Sequence, residues 1–219
     1  MAQKFGILGG TFNPIHYGHL AAAEEVRDRL KLDRVVFIPS YLPPHKHEED
    51  MPPAVQRLEM VRLAIASNPL FSVSDIEVMR GGKSYTIETV TALRAMHQAT
   101  DFYFITGVDS FLEIQMWSRW ERLLQLCSFV VLSRPGYRFA DLMKIDFMKG
   151  ASKMLAALDS GDLMHAMFQP DGFKICLEMI PLYDISSTDI RKRIRDSRTV
   201  KYHLPEDVET YIIKNKLYA

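Results

Sequence analysis

Apolar positions along the chain fall into two alternating patterns. Short continuous runs recur at Lys4 to Leu8, Arg34 to Pro39, Phe71 to Ile76, Phe102 to Ile105 and Phe129 to Leu132. Runs of this length predict strands, and Arg34 to Pro39, apolar after Arg34, is expected to be covered on both faces. Between them the apolar residues return every three or four positions. Leu20, Ala23, Val26 and Leu30 do so within Gly18 to Lys31, and Leu58, Val61 and Ile65 within about Pro53 to Ser67. Thr86 to Met96 follows the same rule. That spacing gathers them on one helical face, and Asn68-Pro69 ends the second helix. Strands alternating with helices imply parallel βαβ units with right-handed crossovers. The fold expected is α/β, a doubly wound and mainly parallel sheet of five to six strands with helices on both faces.

The rhythm breaks between Tyr137 and Gly172. Ser152 to Leu158 and Leu163 to Phe168 show helical patterning without a βαβ register, so a helical insertion is expected at about 138–172 in a single domain spanning 1–219. Phe173 to Ile180 reads as a sixth strand. Two helices, Ser187 to about Asp196 and Pro205 to about Asn215, form a C-terminal helical segment.

Composition narrows the function classes. With 27 basic and 27 acidic residues the chain has no general basic field, so neither nucleic acid nor an anionic membrane is an expected partner. A nucleotide would have to be held by a few local groups. Cys127 and Cys176 stand far apart in apolar segments and read as buried thiols of a reducing compartment. No basic stretch leads into an apolar one before Lys4, and no run reaches membrane-spanning length, so a cytoplasmic protein is expected.

The candidate chemistry begins where the first strand ends, at Gly9-Gly10-Thr11-Phe12-Asn13-Pro14-Ile15-His16-Tyr17-Gly18-His19. Ligands of an open parallel sheet bind outside the carboxyl ends of its strands. Two glycines there let a ligand approach the backbone, and a helix starting near Gly18 turns its N-terminal dipole to the same space. His16 and His19, one helical turn apart, reach it together. The glycine spacing does not fit the dinucleotide fingerprint. A metal pair is disfavoured because no Cys or acidic cluster accompanies the histidines, so no protein metal site is expected. Gly82-Lys83-Ser84 imitates a P-loop tail, but the required first glycine falls on Glu77 and the loop follows the third strand. Near the end of the chain, Ser186 with Asp189 reads as a helix N-cap with an acidic partner. Ser187, Thr188 and Arg191 then face an anion, while Arg193 and Arg195 read as solvated charge. Taken alone, that segment is an ordinary capped basic helix.

His16-Tyr17-Gly18-His19 matches the H-x-G-H signature of the nucleotidyltransferases related to class I aminoacyl-tRNA synthetases. The longer stretch from Gly9 to His16 resembles the bacterial nicotinate mononucleotide adenylyltransferases, and Ile185 to Arg191 resembles their second signature, I-S-S-T-x-I-R. The resemblance covers nearly the whole chain except Leu142 to Gly172. It implies a Rossmann-like fold and transfer of AMP from ATP, with Mg²⁺ bound to its phosphates, to nicotinate mononucleotide. The products would be nicotinate adenine dinucleotide and pyrophosphate, in NAD biosynthesis. Catalytic roles carry over to His16, His19, Lys46 and Arg191. ATP contacts carry over to Gly9, Gly10, Thr11, Phe12, Gly18, Gly107, Asp109, Ile185, Ser187 and Thr188 as well as to three of those four. Acceptor contacts carry over to Asn13, Lys46, Tyr85, Thr86, Trp117 and Arg134. These come from Pro43-Pro44-His45-Lys46, the S-Y-T-x-x-T stretch at Ser84, the G-x-D at Gly107, Trp117 as a stacking partner, and the R-P-G-Y at Arg134. Trp120 is assigned to packing. The family's usual residue at position 13 is Asp; Asn13 accepts hydrogen bonds but carries no charge. Rival acceptors are nicotinamide mononucleotide and phosphopantetheine. A non-catalytic nucleotide-binding module is the rival from outside the enzymes, and a homo-oligomer is possible. A synthetase fragment is disfavoured because no K-M-S-K signature or basic surface is present.

Overall fold

The computed structural model describes residues 2–44, 47, 51–181 and 183–219. The first apolar run becomes β1 (Gln3–Gly10), followed by α1 (Tyr17–Leu30), β2 (Arg34–Pro39), α2 (Ala54–Ile65), β3 (Phe71–Val73) and α3 (Ile76–Arg80). The second half runs α4 (Thr86–Met96), β4 (Thr100–Gly107), α5 (Val108–Phe111), α6 (Trp120–Leu126), β5 (Ser128–Leu132), α7 (Ser152–Ser160), β6 (His165–Phe168), β7 (Ile175–Glu178), α8 (Ser187–Arg195) and α9 (Glu206–Lys214). The strands form one sheet in the order β3-β2-β1-β4-β5-β7-β6. Every pairing is parallel except β6 with β7.

That order contains the switch point. From β1 the chain winds outward to β2 and β3, then returns to place β4 on the other side of β1, with Ile7 beside Phe104 and Leu8 beside Ile105. The carboxyl ends of β1 and β4, at Gly10 and Gly107, therefore flank one crevice.

Alternation along each strand divides the core in two. Phe102, Phe104 and Phe129 face α4, α6 and α7, packing with Val90, Leu93, Leu123 and Leu155. Ile105, Val130 and Leu132 face the other side, with Ala23 and Val26 of α1, Met60 and Val61 of α2, Ile190 of α8 and Ile212 of α9. Both faces are covered, so the strands read as continuous apolar runs and the doubly wound sheet follows.

The structure corrects three expectations. Among the described residues the sheet has seven strands, not five to six. Within the stretch expected to be a helical insertion, 3₁₀ turns at Phe139–Lys144 and Asp146–Ala151 lead into α7, which Gly161 ends with a left-handed φ of +83°. His165–Phe168, read as helical, is instead a strand that pairs with the otherwise bare edge of β7. Four residues carry too little periodicity to separate helix from strand, and ladder hydrogen bonds decide the matter. Ile76, assigned to the third strand, begins α3. Trp120 does pack internally, stacking on Phe147 at 5.5 Å. Cys127 and Cys176 are free and buried.

Phe129 has no exposed surface and meets Phe104 at 5.2 Å, Phe111 at 5.7 Å and Trp117 at 6.5 Å. Phe129→Ala is expected to lower the unfolding free energy by about 3–5 kcal/mol, measured as a shift of the urea midpoint.

Candidate active site

The backbone leaves β1 through a tight loop. Gly10 lies under the Phe12 ring, so close that an added Cβ would stand 3.3 Å from it. Phe12 takes a left-handed φ of +47°, is buried, and sets its edge against His19 at 5.2 Å. Asn13 is buried, precedes a cis peptide bond to Pro14, and keeps its Oδ1 without a hydrogen bond among the described residues. From below, Arg191 Nη1 donates to the Asn13 carbonyl and the Ser187 hydroxyl to the Pro14 carbonyl, both at 2.8 Å. The two motifs that lie at opposite ends of the chain are thus bonded to each other.

His16 is the N-cap of α1. Its backbone N–H donates to His19 Nδ1 at 3.3 Å, and the two rings lie 3.7 Å apart, 31° from parallel. With Nδ1 acting as acceptor, a neutral His19 carries its proton on Nε2 and offers it as a donor. Burial, helped by Arg134 and His203, lowers the His16 pKa to about 4. Burial followed by the neighbouring His16 puts His19 well below the usual range as well. Both rings are therefore neutral donors at neutral pH. Gly18 makes room for this pair, since a Cβ there would stand 3.0 Å from His16 Nδ1. The first amide of α1, at Tyr17, is taken by the His203 carbonyl, while Gly18 itself lines a cavity.

At the end of β4, Gly107 lies against the Asp109 carboxylate, which leaves no room for a side chain. Arg134 Nε reaches Asp109 Oδ2 at 3.3 Å across the mouth of the crevice. On α8 the Ser186 hydroxyl accepts the Asp189 amide at 3.1 Å, as a cap should. The expected acidic partner does not return the bond. The Asp189 carboxylate takes Arg193 at 2.6 Å, which makes Arg193 a partly buried ion-pair member and not a solvated charge. Ser187, expected to face an anion, spends its hydroxyl on Pro14; Thr188 accepts from Arg191 at 3.3 Å.

Two cavities meet over this framework. The larger, about 420 Å³, is walled by Gly9, Gly10, Tyr85, Thr86, Phe104 and Trp117 among others. The smaller, about 300 Å³, is walled by His16, Gly18, Ser133, Ile185 and Ser186 among others. His19, Gly107 and Arg134 line both, so they stand at the junction. Thr11 lines the larger cavity, whereas Phe12, Asn13, Asp109, Ser187, Thr188 and Arg191 line neither. Lys46 lies outside the described residues. Trp117 stands edge-on to Phe104 at 5.9 Å, and Tyr85 is the N-cap of α4 at the cavity wall. Sequence reasoning missed Glu77, which is buried on the cavity wall and accepts the Thr89 hydroxyl at 2.5 Å. Its only sequence signal was an acidic residue in an amphipathic turn. Gly81 and Gly82 join α3 to α4 with φ of +69° and +68°, so Gly82-Lys83-Ser84 follows a helix and forms no P-loop cradle.

Two cavities that share His19, Gly107 and Arg134 at the switch point of a doubly wound sheet define a nucleotide-handling α/β protein. The chain belongs to the cytidylyltransferase-like family, whose model matches residues 7–193. It is 45% identical over 216 residues to a protein of Geotalea daltonii named "Probable nicotinate-nucleotide adenylyltransferase", covering 99% of this chain and 98% of that one. A protein of the same name in Geobacter sulfurreducens is 44% identical over 226 residues, with 99% of each covered. Among solved structures, the Plasmodium falciparum nicotinic acid mononucleotide adenylyltransferase complexed with NaAD shares the fold, with a TM-score of 0.74 at 20% identity. That match covers 99% of this chain and 97% of the other.

The lowered histidine pKa has a thermodynamic consequence. Unfolded imidazole binds its proton near pH 6.5, folded His16 only near pH 4. Between those values the unfolded state holds more protons, so stability falls as pH drops and is fully restored above pH 6.5. The loss is roughly 3 kcal/mol at about 1.4 kcal/mol per pH unit, with His19 acting in the same direction. Urea unfolding from pH 7 to pH 4 is expected to show this slope reduced in His16→Gln relative to the wild type. The difference removes the contribution of surface carboxylates.

Proposed function

We propose that the chain is a nicotinate-nucleotide adenylyltransferase, which transfers AMP from Mg²⁺-ATP to nicotinate mononucleotide and releases pyrophosphate. The observation that carries this reading is the junction of two cavities at His19, Gly107 and Arg134, beside the His16 ring that packs against His19. ATP occupies the smaller cavity, with its α-phosphate at the junction. The acceptor occupies the larger, where the Trp117 face and the first turn of α4 suit a flat pyridine ring. Names carried by relatives across their full length support the acceptor chosen.

In the reaction the acceptor's 5′-phosphate oxygen attacks the α-phosphorus in line, the bond to the β-phosphate oxygen breaks, and pyrophosphate leaves with the electron pair. Charge spreads over the non-bridging oxygens, so preorganised donors supply the catalysis. His19 is suited to this because its free nitrogen carries a hydrogen. The acceptor phosphate is itself the nucleophile, so no side-chain nucleophile is needed and no covalent intermediate is expected. Arg191 has donors beyond the two already bonded, and these with Thr188 and the start of α8 are offered to the leaving pyrophosphate. Lys46 orients the attacking phosphate. Mg²⁺ enters as part of the nucleotide substrate, bound to the ATP phosphates. No described helix is long and apolar enough to cross a membrane. The enzyme's place is NAD biosynthesis, as the names of its full-length relatives support.

Pyrophosphate release measured with ATP and either mononucleotide tests the proposal. A strong preference for the acid over the amide is expected; the reverse preference, or release with neither, refutes the acceptor. His19→Ala is expected to lower kcat by roughly 10²–10³-fold, the usual loss for one transition-state donor. Gly18→Ala, which pushes a methyl group against His16, is expected to lower kcat by about tenfold while the far-ultraviolet circular dichroism is unchanged.

A further inference from the structure

Arg57, on α2, belongs to none of the motifs above, yet it is 1% exposed and the largest fully buried side chain among the described residues. Its three guanidinium nitrogens donate to main-chain carbonyls: Nε to Pro52 at 3.0 Å, Nη1 to Thr11 at 2.7 Å and Nη2 to Tyr41 at 2.7 Å. Burial lowers its pKa to about 10, which leaves it charged at neutral pH. A buried cation held by carbonyls costs more than an apolar side chain of similar volume, so packing does not account for it.

The carbonyls it joins belong to three separate stretches. Thr11 is in the loop that follows β1; Tyr41 follows β2; Pro52 precedes α2. Thr11, Pro43 and Pro44 line the larger cavity. The Tyr41 amide in turn donates to the Ser84 hydroxyl at 3.0 Å, next to Tyr85 and Thr86 of the same wall. A planar fork with donors in three directions can bridge such groups; an ammonium reaches fewer of them and an apolar chain none.

We propose that Arg57 is a positioning residue that sets the separation between the phosphate loop and the acceptor wall, an inference that rests on reading the cavity as an adenylyl-transfer site. It touches neither substrate. Each substrate still binds its own wall without it, but the attacking oxygen and the phosphorus are no longer held in line, and a misplacement near 1 Å costs about 100-fold in rate.

Steady-state kinetics of Arg57→Lys and Arg57→Met, with ATP and nicotinate mononucleotide, test this alongside thermal melts that report the folded fraction. Arg57→Lys keeps the charge and most of the volume and is expected to fold, so it carries the test if Arg57→Met does not. The expected result is a fall in kcat of about 10- to 100-fold per folded enzyme, with both KM values within about threefold of the wild type. A kcat loss that only follows the unfolded fraction, or a rise in KM at unchanged kcat, overturns the proposal. So does wild-type kcat in Arg57→Lys. A wild-type enzyme inactive with these substrates is a different failure: it overturns the adenylyl-transfer reading itself.

Discussion

A phosphate is repelled by carbonyl oxygens, and a tight loop that is to bind one, as proposed for Thr11 to Pro14, must dispose of its own. This loop hands three of its carbonyls to side-chain donors: Thr11 to Arg57, Asn13 to Arg191 and Pro14 to Ser187. Two of the donors, Arg57 and Arg191, are cations, and they neutralise the negative ends of the loop's peptide dipoles. The rest of the architecture follows from that constraint. Helices α2 and α8 must both dock on the same face of the sheet, and they do so through Met60, Val61 and Ile190 in one apolar cluster. The left-handed Phe12 and the small Gly10 are the local cost of turning the loop this way.

The front of the loop uses a different economy of charge. Its central donors are histidines kept neutral by burial, while the ion pair of Arg134 with Asp109 sits at the crevice mouth, where Arg134 is more than half exposed. A neutral donor is cheaper to bury than a cation and still stabilises charge that develops in a transition state. Charged groups at the rim stay solvated and so avoid the cost of burying a charge. Gly18 and Gly107 serve this arrangement in the same way, by leaving space for the side chains of His16 and Asp109.

Much of this could be read from residue order alone. The strands around Ile7, Phe37 and Phe129 announced themselves because both of their faces are buried, and α4 declared its limits at Thr86 and Met96 through its periodicity. The histidine pair and the Ser186 cap were legible because their spacing is a property of the helix they begin. What escaped was whatever depends on partners far away in sequence. His165–Phe168 is a strand only because β7 offers an edge. Asp189 forsakes the cap for Arg193, one turn along its own helix. Arg57 was invisible because a lone arginine in an amphipathic helix has the same pattern whether it faces water or three carbonyls, and Glu77 was missed for the same reason.

The bonds from Ser187 to Pro14 and from Arg191 to Asn13 span 173 and 178 positions. During synthesis the glycine-rich loop emerges from the ribosome first and waits for its support until nearly all of the remaining chain has followed. A nascent chain ending before α8 can pair β1 with β2 and β4 but leaves the Asn13 and Pro14 carbonyls without their donors. The backing of the loop is thereby completed only once α8 has been made.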